Sequence, residues 1–212
     1  MKMQFVLLLG FMASIQLEAQ TNSVVTDTNS VQNIETIVCI RHGEKPKGGR
    51  GQLNCRGLNR SLALPDVLLG KYGTPQFIFA PNPSHIADGN PDYYYIRPLA
   101  TIEPTAIRCG LPVNTKYGFD EIKGLESELQ KPKYQNATVF VAWEHILLNR
   151  FGTNMVVDNG STAQVPFWPG NDYDTIYVFK FTRQNEQTNF SFTIDHEGLD
   201  GLSDDCPQVK KP

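Results

Sequence analysis

Between Thr36 and Pro46 the chain reads Thr36-Ile37-Val38-Cys39-Ile40-Arg41-His42-Gly43-Glu44-Lys45-Pro46, and no other stretch constrains the fold as strongly. Its first five residues are an unbroken and mostly β-branched run, the pattern of a strand buried on both faces. The run stops at Arg41-His42. A cation and an imidazole at the end of a buried strand are costly to place unless something uses them. Open parallel sheets bind ligands just outside the carboxyl ends of their strands, which is where this pair would lie. Gly43 lets the backbone turn there without a side chain in the way. The tripeptide alone is a weak signal, so its meaning depends on what the remaining chain brings to the same edge.

Two further apolar runs read as buried strands. Phe77-Ile78-Phe79-Ala80 is closed by Pro81-Asn82-Pro83, and Thr138–Trp143 ends in charge at Glu144-His145. Helical stretches are expected from Leu58 to Leu69, kinked or split at Pro65, and from Arg97 to about Cys109. In the second of these, Pro98 suits the first turn and Gly110 the position past the end. A weaker helical pattern covers Ile122–Leu129, and Ile146–Phe151 is followed by a Gly/Asn/Pro-rich loop over 152–172. Thr175–Thr182 and Phe190–Asp195 read as a terminal hairpin. Strand runs separated by helices predict an α/β domain: a three-layer sandwich with a central, mainly parallel sheet flanked by helices and the hairpin at or near an edge.

The domain is expected to span 34–195. Ahead of it, Lys2, the apolar run Phe5–Ile15 and the small residues up to Ala19 have the layout of a secretory signal over 1–19, with a polar flexible lead-in over 20–33. The run is too short to span a bilayer comfortably, so the expectation is a secreted or periplasmic protein with no membrane span after cleavage. The segment 196–212 reads as a solvated acidic tail; five acids and no Lys or Arg lie between Asp195 and Asp205. A formal charge of −3 and a pI near 5.8 argue against nucleic acid as a partner. Cys39 reads as a small core residue, while Cys55, Cys109 and Cys206 leave the choice of one bridge open. No spacing among the cysteines or acids is that of a metal site. Oligomeric state is not legible.

Against that acidic background, residues 41–60 carry six basic side chains (Arg41, Lys45, Lys47, Arg50, Arg56, Arg60) and one acid, Glu44. This is a local positive field suited to an anion. Arg41 and Lys45 are the candidates for contact with substrate, and Lys47 and Arg50 read as solvated. Arg97 stands at a helix start, where unpaired N–H groups also favour an anion. Two guanidiniums and two imidazoles (Arg41, His42, Arg97, His145) describe a phosphoryl site. The guanidinium fork matches phosphate oxygens, and a neutral imidazole can attack phosphorus.

At these residues the sequence resembles the histidine phosphatase superfamily, the phosphoglycerate mutase-like fold, over roughly residues 36–180. Val38–Gly43 is similar to its signature motif, Leu53–Leu58 to the turn that follows, and Arg97-Pro98-Leu99-Ala100-Thr101 to its R-x-x-x-T helix start. Val139–His145 resembles the strand ending in the second histidine. The resemblance implies that His42 becomes phosphohistidine, that Arg41, Arg97 and His145 hold the phosphoryl oxygens, and that no metal or cofactor takes part. The chain departs from common relatives at Ile146, where they carry Gly or Asp after the second histidine. The general acid is expected at Glu144, or else at Glu121. The function implied is hydrolysis of a small phosphorylated substrate; the alternative is a phosphate-binding, catalytically weak member of the same fold. Loop 82–96, holding His85, Asp88, Asp92 and Tyr93-Tyr94-Tyr95, and segment 44–60 are expected to form the rim.

Overall fold

The computed structural model describes residues 32–84 and 93–208. Segment 1–19, most of the lead-in, and His85, Asp88 and Asp92 therefore lie outside the described residues.

The strand announced by Thr36–Ile40 is β1 (Asn33–Arg41), and it is followed by α1 (Cys55–Tyr72) and β2 (Phe77–Phe79). Next come α2 (Arg97–Cys109), β3 (Val113–Asn114), α3 (Ile122–Leu129) and β4 (Thr138–Trp143). The chain finishes with α4 (His145–Asp158) and the strands β5 (Thr175–Gln184) and β6 (Gln187–His196). Among the described residues one sheet holds six strands in the order β3-β2-β4-β1-β5-β6. It is mixed: β3, β2, β4 and β1 run parallel, whereas β5 and β6 are antiparallel additions beyond β1. The 175–196 hairpin thus closes one edge, as its alternation predicts.

Side-chain alternation along β1 and β4 divides the core into two layers. Ile37, Cys39, Val139 and Val141 pack with Leu125, Leu129, Leu148, Phe151 and Met155 of α3 and α4. Val38, Ile40, Phe140 and Ala142 pack with Leu64, Leu68, Ile102 and Ala106 of α1 and α2. Cys39 is a buried free thiol in this core. No helix among the described residues is long and apolar enough to cross a membrane.

Three local expectations change. Helix α1 begins at Cys55 rather than Leu58 because the Asn54 side chain caps it, accepting from Gly57 N at 2.9 Å. It also runs through Pro65 without splitting. Burial of Leu64 and Leu68 and the bond from Ser61 Oγ to the Ala100 carbonyl (2.7 Å) hold it against α2 despite the local cost. Helix α4 continues to Asp158 instead of ending at Phe151. Gly152 is there for close approach, since a Cβ would come within 3.3 Å of the Tyr177 ring and Val165.

The acidic segment that begins in β6 at Asp195 is tied to α1 rather than free, although the side chains of Asp200 and Asp204 stay exposed. Asp195 accepts from Lys71 Nζ (2.8 Å) and Tyr72 Oη (2.7 Å), Asp204 pairs with Arg56 (3.0 Å), and Cys206 is bonded to Cys55. Glu197 lies buried against Arg60 at 2.5 Å. The segment reads as solvated in the sequence because its partners, the basic face of α1, are some 150 positions away along the chain; Cys55 and Cys206 are separated by 151. The same pairing corrects the positive field: Arg56 and Arg60 serve this segment, and only Arg41, Lys45, Lys47 and Arg50 remain from that group for an anion.

Candidate active site

The parallel register sets the site. Arg41 lies beside Trp143, and His42 N donates to the Trp143 carbonyl at 2.9 Å, so β1 and β4 end together. One residue past Trp143, Glu144 has left the strand and caps α4, with its Oε2 accepting from Leu147 N at 3.0 Å. His145 is therefore the first helical residue, at the same sheet edge as His42.

His42 is 1% exposed, and its Nδ1 lies 2.7 Å from the Gly43 carbonyl oxygen. A carbonyl can only accept, so Nδ1 carries the proton and Nε2 keeps a lone pair. Burial, and then the charges of Arg97, Arg41 and Lys45, push the imidazole pKa well below 6.5, against the opposing Gly43 bond. His42 is thus a neutral base surrounded by cations. Gly43 N in turn donates to Thr101 Oγ1 (2.8 Å), and Thr101 Oγ1 donates to the Arg97 carbonyl (2.8 Å). The threonine of the R-x-x-x-T start links α2 to the loop of the histidine, a role the sequence did not reveal.

Arg97 is fully buried, its guanidinium 4.7 Å from the Tyr95 ring centre, with Nη1 donating to the Gly49 carbonyl at 3.4 Å. The expectation that open N–H groups at this helix start favour an anion needs correcting. The Gly51 carbonyl accepts from Ile96 N (2.9 Å) and Arg97 N (3.0 Å), so a loop carbonyl caps the helix and the guanidinium carries the positive charge.

Arg41 is held from the other side. Its Nη1 donates to the carbonyls of Gly170 (2.9 Å) and Asp172 (2.7 Å), its guanidinium stacks 3.9 Å from the Tyr173 ring centre, and its Nε has no hydrogen-bond partner among the described residues. The loop that does this is anchored by Trp168, whose Nε1 donates to the Asp172 carbonyl, and by the Asp172 side chain, which accepts from Asp174 N and Thr175 N. A Cβ on Gly170 would lie 3.8 Å from His145 Nε2, so Arg41 and His145 border the same residue. Tyr173 and Tyr95 flank His42, each with ring centres 6.1 Å away. Nothing in the sequence beyond an aromatic residue between two acids marks Tyr173.

Glu144 Oε1 approaches His145 Nδ1 at 2.5 Å. The Glu144 carboxyl sits below the usual range: burial raises it, and His145 and the α4 amides outweigh that. Glu121 is exposed, and its Oε2 accepts from Gly118 N (2.6 Å). Its loop reaches the site wall, since Phe119 packs 5.0 Å from Tyr95 and the Phe119 carbonyl accepts from Trp143 Nε1. Lys45 is exposed beside His42. The three rim tyrosines divide: Tyr95 is buried, while Tyr93 and Tyr94 are exposed. Among the described residues no three His, Cys, Asp or Glu side chains converge as a metal cluster.

No family model and no curated protein sequence matches the chain. Solved structures do. A protein named as the phosphohistidine phosphatase SixA of Nakamurella multipartitia superposes with a TM-score of 0.50 at 14% identity, covering 77% of this chain and 96% of that one. A mycobacterial glucosyl-3-phosphoglycerate phosphatase gives 0.47 at 12% identity, with 76% and 97% covered. A phosphoglycerate mutase of Plasmodium falciparum gives 0.47 at 15%, with 85% and 98% covered. The first of these carries the fold: the chain shares the α/β architecture of that protein.

Proposed function

We propose that the protein is a phosphomonoester hydrolase that works through a phosphohistidine at His42. The observation that carries this reading is a neutral imidazole, its Nδ1 proton fixed on Gly43, set among Arg41, Arg97 and Lys45 at the strand ends. In the first step the Nε2 lone pair attacks phosphorus, the bond to the ester oxygen breaks, and that oxygen takes a proton. In the second, water attacks phosphorus and gives a proton back to the group that supplied the first, the P–N bond breaks, and phosphate leaves with His42 neutral again. Arg41, Arg97 and His145 neutralise the equatorial oxygens throughout, so this mechanism calls for no metal or cofactor. The substrate is a small phosphorylated molecule that approaches past Lys45.

The proton donor we assign is Glu121 rather than Glu144. Both Glu144 oxygens are engaged, one on His145 and one on the α4 cap, and the surroundings favour its charged form. A group held ionised is a poor acid. Glu144 instead orients His145. The second reading, a phosphate-binding protein with weak turnover, draws on the carbonyls that already occupy Arg41 Nη1. We also place the protein in an exported, oxidising compartment, a reading that the Cys55–Cys206 bridge supports.

The test is brief mixing with a ³²P-labelled aryl phosphate and an alkaline quench. Label should be trapped on the wild-type chain and absent from His42→Ala, which should also lose turnover. A fully active His42→Ala protein overturns the mechanism; trapped label without turnover selects the second reading.

A further inference from the structure

We propose that the acidic C-terminal segment clamps the catalytic loop, with Arg60 as positioning residue and Glu197 and the Cys55–Cys206 bridge as its outer anchors; this rests on the reading of His42 as nucleophile. The carbonyl that accepts from His42 Nδ1 belongs to the peptide unit joining Gly43 to Glu44. Any movement of Glu44 rotates that acceptor, and with it the preference for Nε2 as the free nitrogen.

Glu44 is gripped at two levels. Its carbonyl accepts from Asn54 N at 2.9 Å, and α1 approaches so closely that a Cβ on Gly57 would collide with that carbonyl. Its carboxylate takes a fork from Arg60, Nε to Oε2 at 3.0 Å and Nη2 to Oε1 at 2.8 Å. Arg60 is fully buried, and its remaining nitrogen, Nη1, donates to Glu197 Oε2 at 2.5 Å.

The same short segment reaches the opposite wall. Glu197 N donates to the Asp174 carbonyl (2.7 Å) and Leu199 N to Asp174 Oδ1 (2.8 Å). Asp174 follows Tyr173, the ring that lies against both His42 and Arg41. Residues 197–199 therefore tie Glu44, through Arg60, to Tyr173, through Asp174. Beyond them, Asn59 Nδ2 donates to the carbonyls of Ser203 (3.0 Å) and Asp205 (2.8 Å), and the disulfide fastens Cys206 to the first residue of α1. The network thus ends on Glu44 and Asp174, each one residue along the chain from a group that touches the nucleophile, Gly43 and Tyr173.

The test compares wild type, Glu197→Ala, Glu197→Gln and Cys206→Ser, together with wild type treated with dithiothreitol, whose two thiols become a cyclic disulfide as Cys55 and Cys206 are reduced. Kinetics are read on an aryl phosphate, and amide exchange on the peptide covering 42–54. Misplacement of a reacting group by about 1 Å costs on the order of 10²-fold. Glu197→Ala and the reduced protein should therefore lose roughly ten- to a hundredfold in kcat with little change in KM. Glu197→Gln, which keeps the acceptor for Arg60, should return most of that loss. The acid limb of the rate profile should move upward in Glu197→Ala as water reaches His42. The charges facing the imidazole (Arg41 from β1, Arg97 from α2, Lys45 from its own loop), the tyrosine rings Tyr95 and Tyr173, and His145 beyond Gly170 are unaltered in these variants. Exchange over 42–54 should quicken in Glu197→Ala and on reduction. Unchanged kcat, profile and exchange in both overturn the clamp, as does failure of Glu197→Gln to restore activity. If wild type itself hydrolyses nothing, the phosphatase reading falls, and exchange over 42–54 alone decides the clamp.

Discussion

Glu144 Oε1 stands 2.5 Å from His145 Nδ1 while its other oxygen caps helix α4. One carboxylate thus sets both where the second histidine points and where its helix begins. Glu144→Gln keeps an acceptor for the cap and removes the charge. It should slow aryl and alkyl phosphates by a similar factor, because no proton transfer is lost. Glu121→Gln should slow alkyl phosphates at least about tenfold more than aryl phosphates, since only the poor leaving group depends on an acid. The reverse pattern across the two variants would return the acid role to Glu144.

The depressed pKa of His42 makes a direct prediction. With isotope-labelled imidazole, its ring resonances should stay at their neutral positions at pH ~6, where an ordinary histidine is mostly charged. The sign for stability follows: the unfolded chain takes up this proton first, so acidification through 6.5 weakens the fold. A midpoint at or above 6.5 for His42 would contradict the buried, cation-lined environment.

Arg97→Ala should cost roughly 10²–10³-fold in kcat on an aryl phosphate, the loss typical of one preorganised charge stabiliser. Arg97→Lys should recover only part of it, because an ammonium supplies charge without the planar fork. Full activity in Arg97→Lys would mean that charge alone matters there.

Burial pushes the Glu197 carboxyl up to about 8, against the pull of Arg60. The folded protein therefore holds a proton that the unfolded chain releases near 4.5, and the contribution of Glu197 to stability should fall as pH rises from about 4.5 to about 8, against the contribution of His42 in the lower part of that window. Glu197→Gln should remove that downward component from the melting-temperature profile. An unchanged slope would show that Glu197 is ionised throughout.

Reducing the Cys55–Cys206 bridge should lower unfolding stability by about 2–4 kcal/mol, the usual value for a native disulfide. Denaturant titrations with and without reductant measure it, and Cys109→Ser is the control because Cys109 is a free thiol.

Much of the architecture was legible because it is carried by local patterns. The runs Thr36–Ile40 and Thr138–Trp143 are apolar on both faces, and each stops at charge, which located the carboxyl edge of the sheet. What could not be read depends on distant partners. Arg60 looks like any basic residue of a loop-and-helix segment until Glu197, 137 positions on, is brought against it. Asp195–Cys206 looks solvated until α1 is folded. Tyr173 and the carbonyls of Gly170 and Asp172 reach Arg41 through main-chain geometry, which leaves no trace in residue type. The end of α4 was misplaced because Gly152 looks like a stop, whereas it makes room for Tyr177.

The hairpin turn gives the molecule a convenient handle. Asn185 and Glu186 both have positive φ, the two-residue geometry that joins twisted antiparallel strands. Strand β5 runs ten residues from Thr175, beside the site, to Gln184 at that turn, a distance of about 33 Å at the usual rise per residue. A fluorophore, affinity tag or surface linker inserted between Asn185 and Glu186 would sit at the far end of the sheet, leaving the rim around Lys45 clear for immobilised or single-molecule assays.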